Sequence, residues 1–270
     1  MDNQSRYRTF RQLHRSGCFV MPNPWDLGSA RVLASLGFAA LATTSAGFAW
    51  SVGRYDNGVT LDQALAHLTA MAAAVDVPLN ADFEGGFAIA PQGVAANLTR
   101  AVATGIAGVS IEDSTGKPDD PLFEFSLAVE RIRAARRAID DSGSAVLLTG
   151  RSEGFIVGRP DLAQTIARLV AYAEAGADCL YAPGIRSIND IEAVVKAVAP
   201  KPVNVLVSTP FATVSQLADA GVRRISVGGA LARVAWSAFL DAAQEIAASG
   251  SFAGLGRARP HPEINTLFWP

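Results

Sequence analysis

Short apolar runs alternate with longer runs of helical period along almost the whole chain. Eight of the short runs read as strands, at 18–22, 40–45, 77–82, 108–112, 145–151, 179–182, 202–207 and 224–227. Helical periodicity covers 26–36, 61–75, 91–103, 125–140, 161–175, 187–199, 212–220 and 231–248, and an amphipathic segment at 6–16 precedes the first strand. The helix at 161–175 carries both punctuation signals. Pro160 and Asp161 stand at its start, Leu162, Ile166, Leu169, Val170 and Ala173 line one face, and Gly176 follows its end. AEAGADCLYAPG and LADAGVRRISVGG share one layout of helix end, glycine and strand, the mark of recurring αβ units. Such alternation predicts an α/β protein with a parallel sheet, and the count of strands predicts closure into a (β/α)8 TIM-type barrel. Residues 1–270 are expected to form one domain, with an extra N-terminal helix within 1–17 and a C-terminal tail at 250–270.

Composition agrees with that picture and narrows the partners. Of 270 residues, 50% are hydrophobic and 18% charged, ample for one large core. The net charge of -2, with no basic run, argues against nucleic acid or an anionic membrane surface as a partner. No apolar stretch reaches the length of a membrane span, residues 1–20 lack a signal-peptide core, and a cytoplasmic location is the expectation. Cys18 and Cys179 are the only cysteines, too few and too far apart for a structural zinc site or a disulfide framework.

In such barrels the chemistry sits at the C-terminal ends of the strands. There the sequence places Asn23, Thr44, Ser45, Asp82, Glu84, Glu112, Asp113, Arg151, Glu153, Asn204, Gly228 and Gly229, with Asp56 in the loop after the second strand. PLNADFEGGF is the densest stretch. Asp82 and Glu84, two apart, are expected to project from one strand tip to one side, with Gly85 and Gly86 letting the chain turn away. At about 4 Å and an effective dielectric near 20, each like-charge pair costs roughly 4 kcal/mol. Asp56, Asp82, Glu84 and Glu112 could not all stay ionised together without a counter-charge, and a divalent cation is the economical one. His14, His67 and His261 fall away from strand ends and the cysteines sit at strand starts, so an all-oxygen site for Mg²⁺, or Mn²⁺, is expected rather than zinc. Asp82 is the expected direct ligand, with the other carboxylates holding the ion's waters.

Arg151, at the end of AVLLTGR, needs an anion if buried; a substrate carboxylate, Glu153 or Glu112 could each supply it. The turn Ser45, Ala46, Gly47, Phe48 either offers backbone N–H groups to an oxyanion or is a glycine turn with no further role.

With these residues placed, the chain resembles the isocitrate lyase and phosphoenolpyruvate mutase superfamily. The likeness runs through MPNPWDLGSARVLASLGFAALATTSAGFA, the following YDN, NADFEGGF, GVSIEDS, LLTGRSE, KPVNVLV and GVRRISVGGALARVA. The resemblance implies a modified barrel that binds Mg²⁺ and an α-oxo acid or its enolate. It also implies a homotetramer or homodimer in which the last helix is exchanged between subunits. Carried onto this sequence, it makes Asp82 the metal ligand, with Asp56, Glu84 and Glu112 around it. It also gives Ser45, Ala46, Gly47, Arg151 and Asn204 to the substrate. The departure is the loop after the fourth strand, EDSTGKPDDPLF, which has Lys117 but neither the cysteine of the lyases nor the asparagine of the mutases.

The expected function is therefore a Mg²⁺-dependent carbon–carbon lyase acting on a small α-oxo or α-hydroxy carboxylic acid by retro-aldol cleavage or decarboxylation. Arg151, Glu112, Asp56 and Lys117 are its expected catalytic residues. The alternatives are a P–C bond enzyme of the phosphonopyruvate hydrolase or phosphoenolpyruvate mutase kind, and a non-catalytic α-oxo acid binder. A sugar-phosphate enzyme with Ser226, Val227, Gly228 and Gly229 as a phosphate cradle is a further reading, one that leaves the carboxylates unexplained.

Overall fold

The computed structural model describes residues 2–269. Its strands are β1 (Phe19–Met21), β2 (Leu41–Ala42), β3 (Leu79–Asp82), β4 (Gly108–Glu112), β5 (Leu147–Arg151), β6 (Cys179–Tyr181), β7 (Val203–Leu206) and β8 (Arg224–Ser226). All pair in parallel, in the order β1-β8-β7-β6-β5-β4-β3-β2. The remaining seam, between β1 and β2, has no ladder but is drawn shut at its C-terminal end. There the Ala42 N–H donates to the Pro22 carbonyl at 3.1 Å. Asn23 fastens the same place, donating to Thr43 O at 2.8 Å and accepting from the N–H groups of Val227 and Gly228 at 2.9 Å each. The barrel is nearly closed, as its alternation predicts.

The flanking helices are α1 (Asn3–Leu13), α2 (Leu27–Ser35), α3 (Ser45–Ser51), α4 (Leu61–Ala74), α5 (Pro91–Val102), α6 (Phe125–Asp141), α7 (Leu162–Glu174), α8 (Ile188–Val198), α9 (Val214–Asp219), α10 (Ala230–Ser249) and α11 (His261–Thr266). Their starts follow local side-chain chemistry. Asp26 and Thr60 close capping boxes with Ser29 and Gln63, and the Asp161 carboxylate accepts from the Gln164 N–H, as the sequence predicts. The core lies between strands and helices. Leu79, Val109, Ile111 and Leu148 pack there with Ile132, Ala135 and Ile139 of α6, all buried, and each large aliphatic contributes about 1.5–3 kcal/mol.

α1 plugs the N-terminal mouth with Tyr7 and Phe10, and is tied down by Arg6 donating to Val75 O at 2.7 Å. Gly108 is required by this plug, because a Cβ there would lie 2.5 Å from the Phe10 ring and 2.6 Å from Asn80 Oδ1.

α10 leaves the barrel wall. Of its residues only Ala232 is buried, while Val234 (67%), Phe239 (58%) and Leu240 (46%) are exposed. The tail folds back onto it through a 3-10 turn (Ala253–Arg257), where Glu245 accepts from the N–H groups of Ala253 and Gly254 at 2.9 Å. No helix among the described residues is long and apolar enough to cross a membrane.

Candidate active site

The strand tips of β3, β4 and β5 deliver Asp82, Glu112 and Arg151 to one mouth. Glu112 and Arg151 are direct register partners, as are Asp82 and Ser110, so adjacent strands place the three side chains together. Arg151 Nη1 lies 3.2 Å from Asp82 Oδ1 and 3.2 Å from Glu112 Oε2, while its Nε donates to Glu153. Of the partners open to it in the sequence, the structure gives Arg151 both Glu112 and Glu153, and it adds Asp82. Nη2 keeps no partner among the described residues. The Arg151 guanidinium also sits 5.2 Å from the centre of the Tyr181 ring.

Asp82 is held on its other side by Ser45, whose N–H and hydroxyl reach Oδ2 at 2.9 and 3.0 Å. Its own N–H donates to Thr43 Oγ1 at 2.9 Å. Asp56 stands at the exposed rim, 3.4 Å from Ser45 Oγ.

Glu84 reaches the cluster by a route other than strand alternation. β3 ends at Asp82, Phe83 turns into the core, and Glu84 adopts φ 48°, a left-handed conformation uncommon for a non-glycine residue. The carboxylates still converge, through a turn instead of a pleat. Arg131 of α6, fully buried, holds that turn by donating to the carbonyls of Gly85, Ala88 and Ile89, the last at 2.7 Å. A neighbouring buried group of Asp113, Arg168 and Tyr172 anchors the loop after β4. Asp113 Oδ2 accepts from Tyr172 at 2.6 Å and Arg168 at 3.1 Å, Oδ1 accepts from the Glu153 N–H at 2.8 Å, and Arg168 also holds Phe123 O at 3.0 Å. Helix-borne arginines facing inward gave no sign in the sequence, where Arg131 and Arg168 look like ordinary solvated positions.

Electrostatically the mouth is short of positive charge. Burial first, then the charges of Asp82 and Asp56, push Glu84 up to about 8, and its Oε1 is buried without a hydrogen-bond partner. Burial drives Glu112 well above the ordinary carboxylate range, with Arg151 pulling the other way, and lifts Glu153 likewise. Desolvation and then Asp82 raise Asp56. One guanidinium thus serves a crowd of acids.

The donor set can be tested against a divalent cation. Among the described residues no group of three or more His, Cys, Asp or Glu forms a ready protein cage. Mg²⁺ does not need one, since it keeps most of its waters and takes one or two carboxylates. Asp82, with the unpaired Glu84 Oε1 beside it and Asp56 at the rim, fits that mode.

A cavity of about 140 Å³ opens on Asp82 and Asp56 and is lined by these with Ser45, Ala46, Arg151 and Asn204, among others; Glu84, Glu112 and Gly47 lie behind its wall. Ser45 to Phe48 is the first turn of α3 rather than an isolated turn. The Gly47 N–H donates to its N-cap Thr44 at 3.3 Å, and the Ala46 N–H has no partner among the described residues. A Cβ on Gly47 would meet Thr44 at 2.7 Å and Trp25 at 2.8 Å, so glycine is required there by packing. Asn204 is buried, donating to Ser226 Oγ and accepting from Arg224 Nε at 2.9 Å each. Lys117 is not brought to the cluster; it is exposed on the loop, its N–H bonded to Thr115 Oγ1 at 3.0 Å. The phosphate-cradle alternative loses two of its donors, because Asn23 already occupies the amides of Val227 and Gly228.

Comparison with known proteins agrees with the fold. The family model for phosphoenolpyruvate phosphomutase matches residues 10–247. A solved structure from Burkholderia cenocepacia J2315, a candidate lyase/mutase, superposes with a TM-score of 0.94 at 46% identity, covering 99% of this chain and 97% of that one. 2,3-Dimethylmalate lyase, a member of the PEP mutase/isocitrate lyase superfamily, superposes with a TM-score of 0.85 at 27% identity, covering 98% and 93%. An oxaloacetate decarboxylase of Paraburkholderia xenovorans (strain LB400) is 33% identical over 205 residues, 71% of this chain and 65% of its own length.

Proposed function

The chain belongs to the phosphoenolpyruvate phosphomutase family, and we propose that within it this protein is a Mg²⁺-dependent carbon–carbon lyase for a small α-oxo or α-hydroxy carboxylic acid. The observation that carries the reading is the crowd of Asp56, Asp82, Glu84, Glu112 and Glu153 around the single Arg151, with Glu84 Oε1 buried and unpaired. Such a site is incomplete until positive charge enters it. When bound, the cation supplies Lewis-acid polarisation of an oxygen on the acid.

Asp82, braced by Ser45 and Thr43, would hold the ion, and Glu84, Glu112 and Asp56 its waters. Arg151 has Nη2 left to orient the acid's carboxylate, and Ala46 lines the same cavity. In decarboxylation CO2 leaves and the bonding pair stays on the oxo-bearing fragment as an enolate; in retro-aldol cleavage the hydroxyl gives up its proton to become the new carbonyl and the pair leaves on the other fragment; in either case a proton from water then quenches the carbanion. Preorganised donors lower the cost of that charge by several kcal/mol, roughly 2.7–4 for one good donor. The loop after β4 offers no cysteine for proton delivery, which favours decarboxylation among the C–C reactions. The residues Ala46, Gly47 and Asn204 are the proposed substrate contacts, Asn204 through the cavity wall.

The P–C reading is favoured by a separate observation, the family model itself. Incubating the protein and Mg²⁺ with oxaloacetate, substituted malates, methylisocitrate and phosphonopyruvate separates the two by product. Turnover of a C–C substrate, lost in Asp82→Ala, is expected. Turnover of phosphonopyruvate alone would replace the first reading with the second, and oxalate binding without turnover of any of them would leave a non-catalytic binder. A subunit assembly through the exposed face of α10 is proposed alongside, supported by its exposed Val234, Phe239 and Leu240.

A further inference from the structure

A carbanion takes its proton ultimately from water, and a side chain that hands the proton on fixes which face of the carbon receives it. Neither cysteine lines the cavity, and Lys117 stands exposed on the loop after β4. The side chains that do line it and can titrate are Asp56, Asp82, Arg151, Arg224 and Tyr181. The two carboxylates belong to the cation's end, and a guanidinium holds its protons too tightly to give one up. Tyr181 remains.

Tyr181 ends β6 and is the register partner of Arg151 on one side and of Asn204 on the other. It is buried, its ring centre 5.2 Å from the Arg151 guanidinium and its hydroxyl hydrogen-bonded to Ser226. Behind Ser226 runs a chain of hydrogen bonds whose direction is set by its far end. Arg224 is 1% exposed, makes no ion pair among the described residues and can only donate. Its Nη2 gives to Thr149 Oγ1 at 3.0 Å and its Nε to Asn204 Oδ1 at 2.9 Å. The Asn204 amide nitrogen therefore faces Ser226 and donates to Oγ at 2.9 Å.

Ser226 and Tyr181 carry two hydroxyl protons and use one in the bond between them. One is left for the cavity that both line. A phenol is far more acidic than an alkyl hydroxyl, so Tyr181 is the member of the pair that gives. Burial pushes it up to about 12, with Arg151 pulling the other way, and at neutral pH the phenol keeps its proton until a stronger base meets it.

We propose that Tyr181 is the catalytic proton donor to the carbanion left when CO2 departs, an assignment that rests on the lyase reading above. The phenol O–H bond breaks as the new C–H bond forms. The electron pair stays on the phenol oxygen, held by the Ser226 hydroxyl and the Arg151 charge. Water entering after the product leaves restores the phenol and releases hydroxide.

The test follows 3-methyloxaloacetate with the whole chain and Mg²⁺ in deuterium oxide, the reaction in Mg²⁺ alone being subtracted. Decarboxylation places one deuteron on the third carbon of 2-oxobutyrate, and reducing that product as it forms fixes its handedness for NMR. A donor held by the protein predicts one hand over the other by about tenfold or more. Tyr181→Phe, which deletes only the hydroxyl, is expected to slow the reaction and to give both hands equally, a loss that a merely structural defect would not cause. Equal hands from the unsubstituted chain would overturn the assignment whether or not Tyr181→Phe folds, and leave the lyase reading standing. Unchanged handedness in a folded Tyr181→Phe would do the same. No decarboxylation at all would also remove Tyr181 as donor, and turnover of the substituted malates would then decide the lyase reading alone.

Discussion

Replacing Glu84 by Gln tests the electrostatic account most directly. The Glu84 carboxyl is raised from an ordinary 4.5 to about 8, first by burial and then by Asp82 and Asp56. A raised acid favours the folded state fully below 4.5, and that advantage is lost as pH climbs through 8. At about 1.4 kcal/mol per pH unit the gap sets a ceiling of about 5 kcal/mol, and at pH 7 the folded chain bears about 3 kcal/mol for keeping this group protonated. Gln has the same shape and never ionises. In chelator, urea unfolding of Glu84→Gln should therefore show a gain of about 2–3 kcal/mol over the unsubstituted chain at pH 7, and almost none at pH 4.5. Adding Mg²⁺ should stabilise the unsubstituted chain and do so less in the variant, since a bound ligand stabilises by about 2.7 kcal/mol at a hundred times its Kd. A variant no more stable at pH 7 than at pH 4.5, relative to its parent, would refute the claim that these acids strain one another.

Arg151→Met removes the one cation touching Asp82, Glu112 and Glu153 and should cost about 3–5 kcal/mol at pH 8, and less at pH 5, where the acids can protonate; paired urea curves at the two pH values read this. Arg131→Met should leave the carbonyls of Gly85, Ala88 and Ile89 without their donor and cost about 3 kcal/mol or more, with faster amide exchange at 85–89 by mass spectrometry; unchanged exchange would show that the turn carrying Glu84 holds itself. Phe239→Asp on α10 should lower the sedimenting mass if that face joins subunits, and leave it unchanged if it does not.

Much of the barrel was written in local pattern. Its alternation, the Asp161 cap and the glycine after α7 are effects of neighbours within a few residues, and they came out as the sequence predicts. So did the gathering of Asp82, Glu112 and Arg151, because parallel strands in a closed barrel bring their tips to one mouth whatever lies between them. Glu84 shows the limit. Strand alternation led to it, yet a left-handed turn held by Arg131 from α6, nearly fifty residues on, is what puts it there.

What only the tertiary structure decided was how charge is shared. The sequence determined which acids reach the mouth, but it left Arg151 open to a substrate or to Glu112 and Glu153, and it offered no reason to notice Arg224. Pairing and burial depend on distances across strands and on helices packed from behind, to which no residue's immediate neighbours contribute. An arginine on a strand reads the same whether its guanidinium meets water, a carboxylate or the neutral floor of a barrel, and the energies of those three fates differ by several kcal/mol.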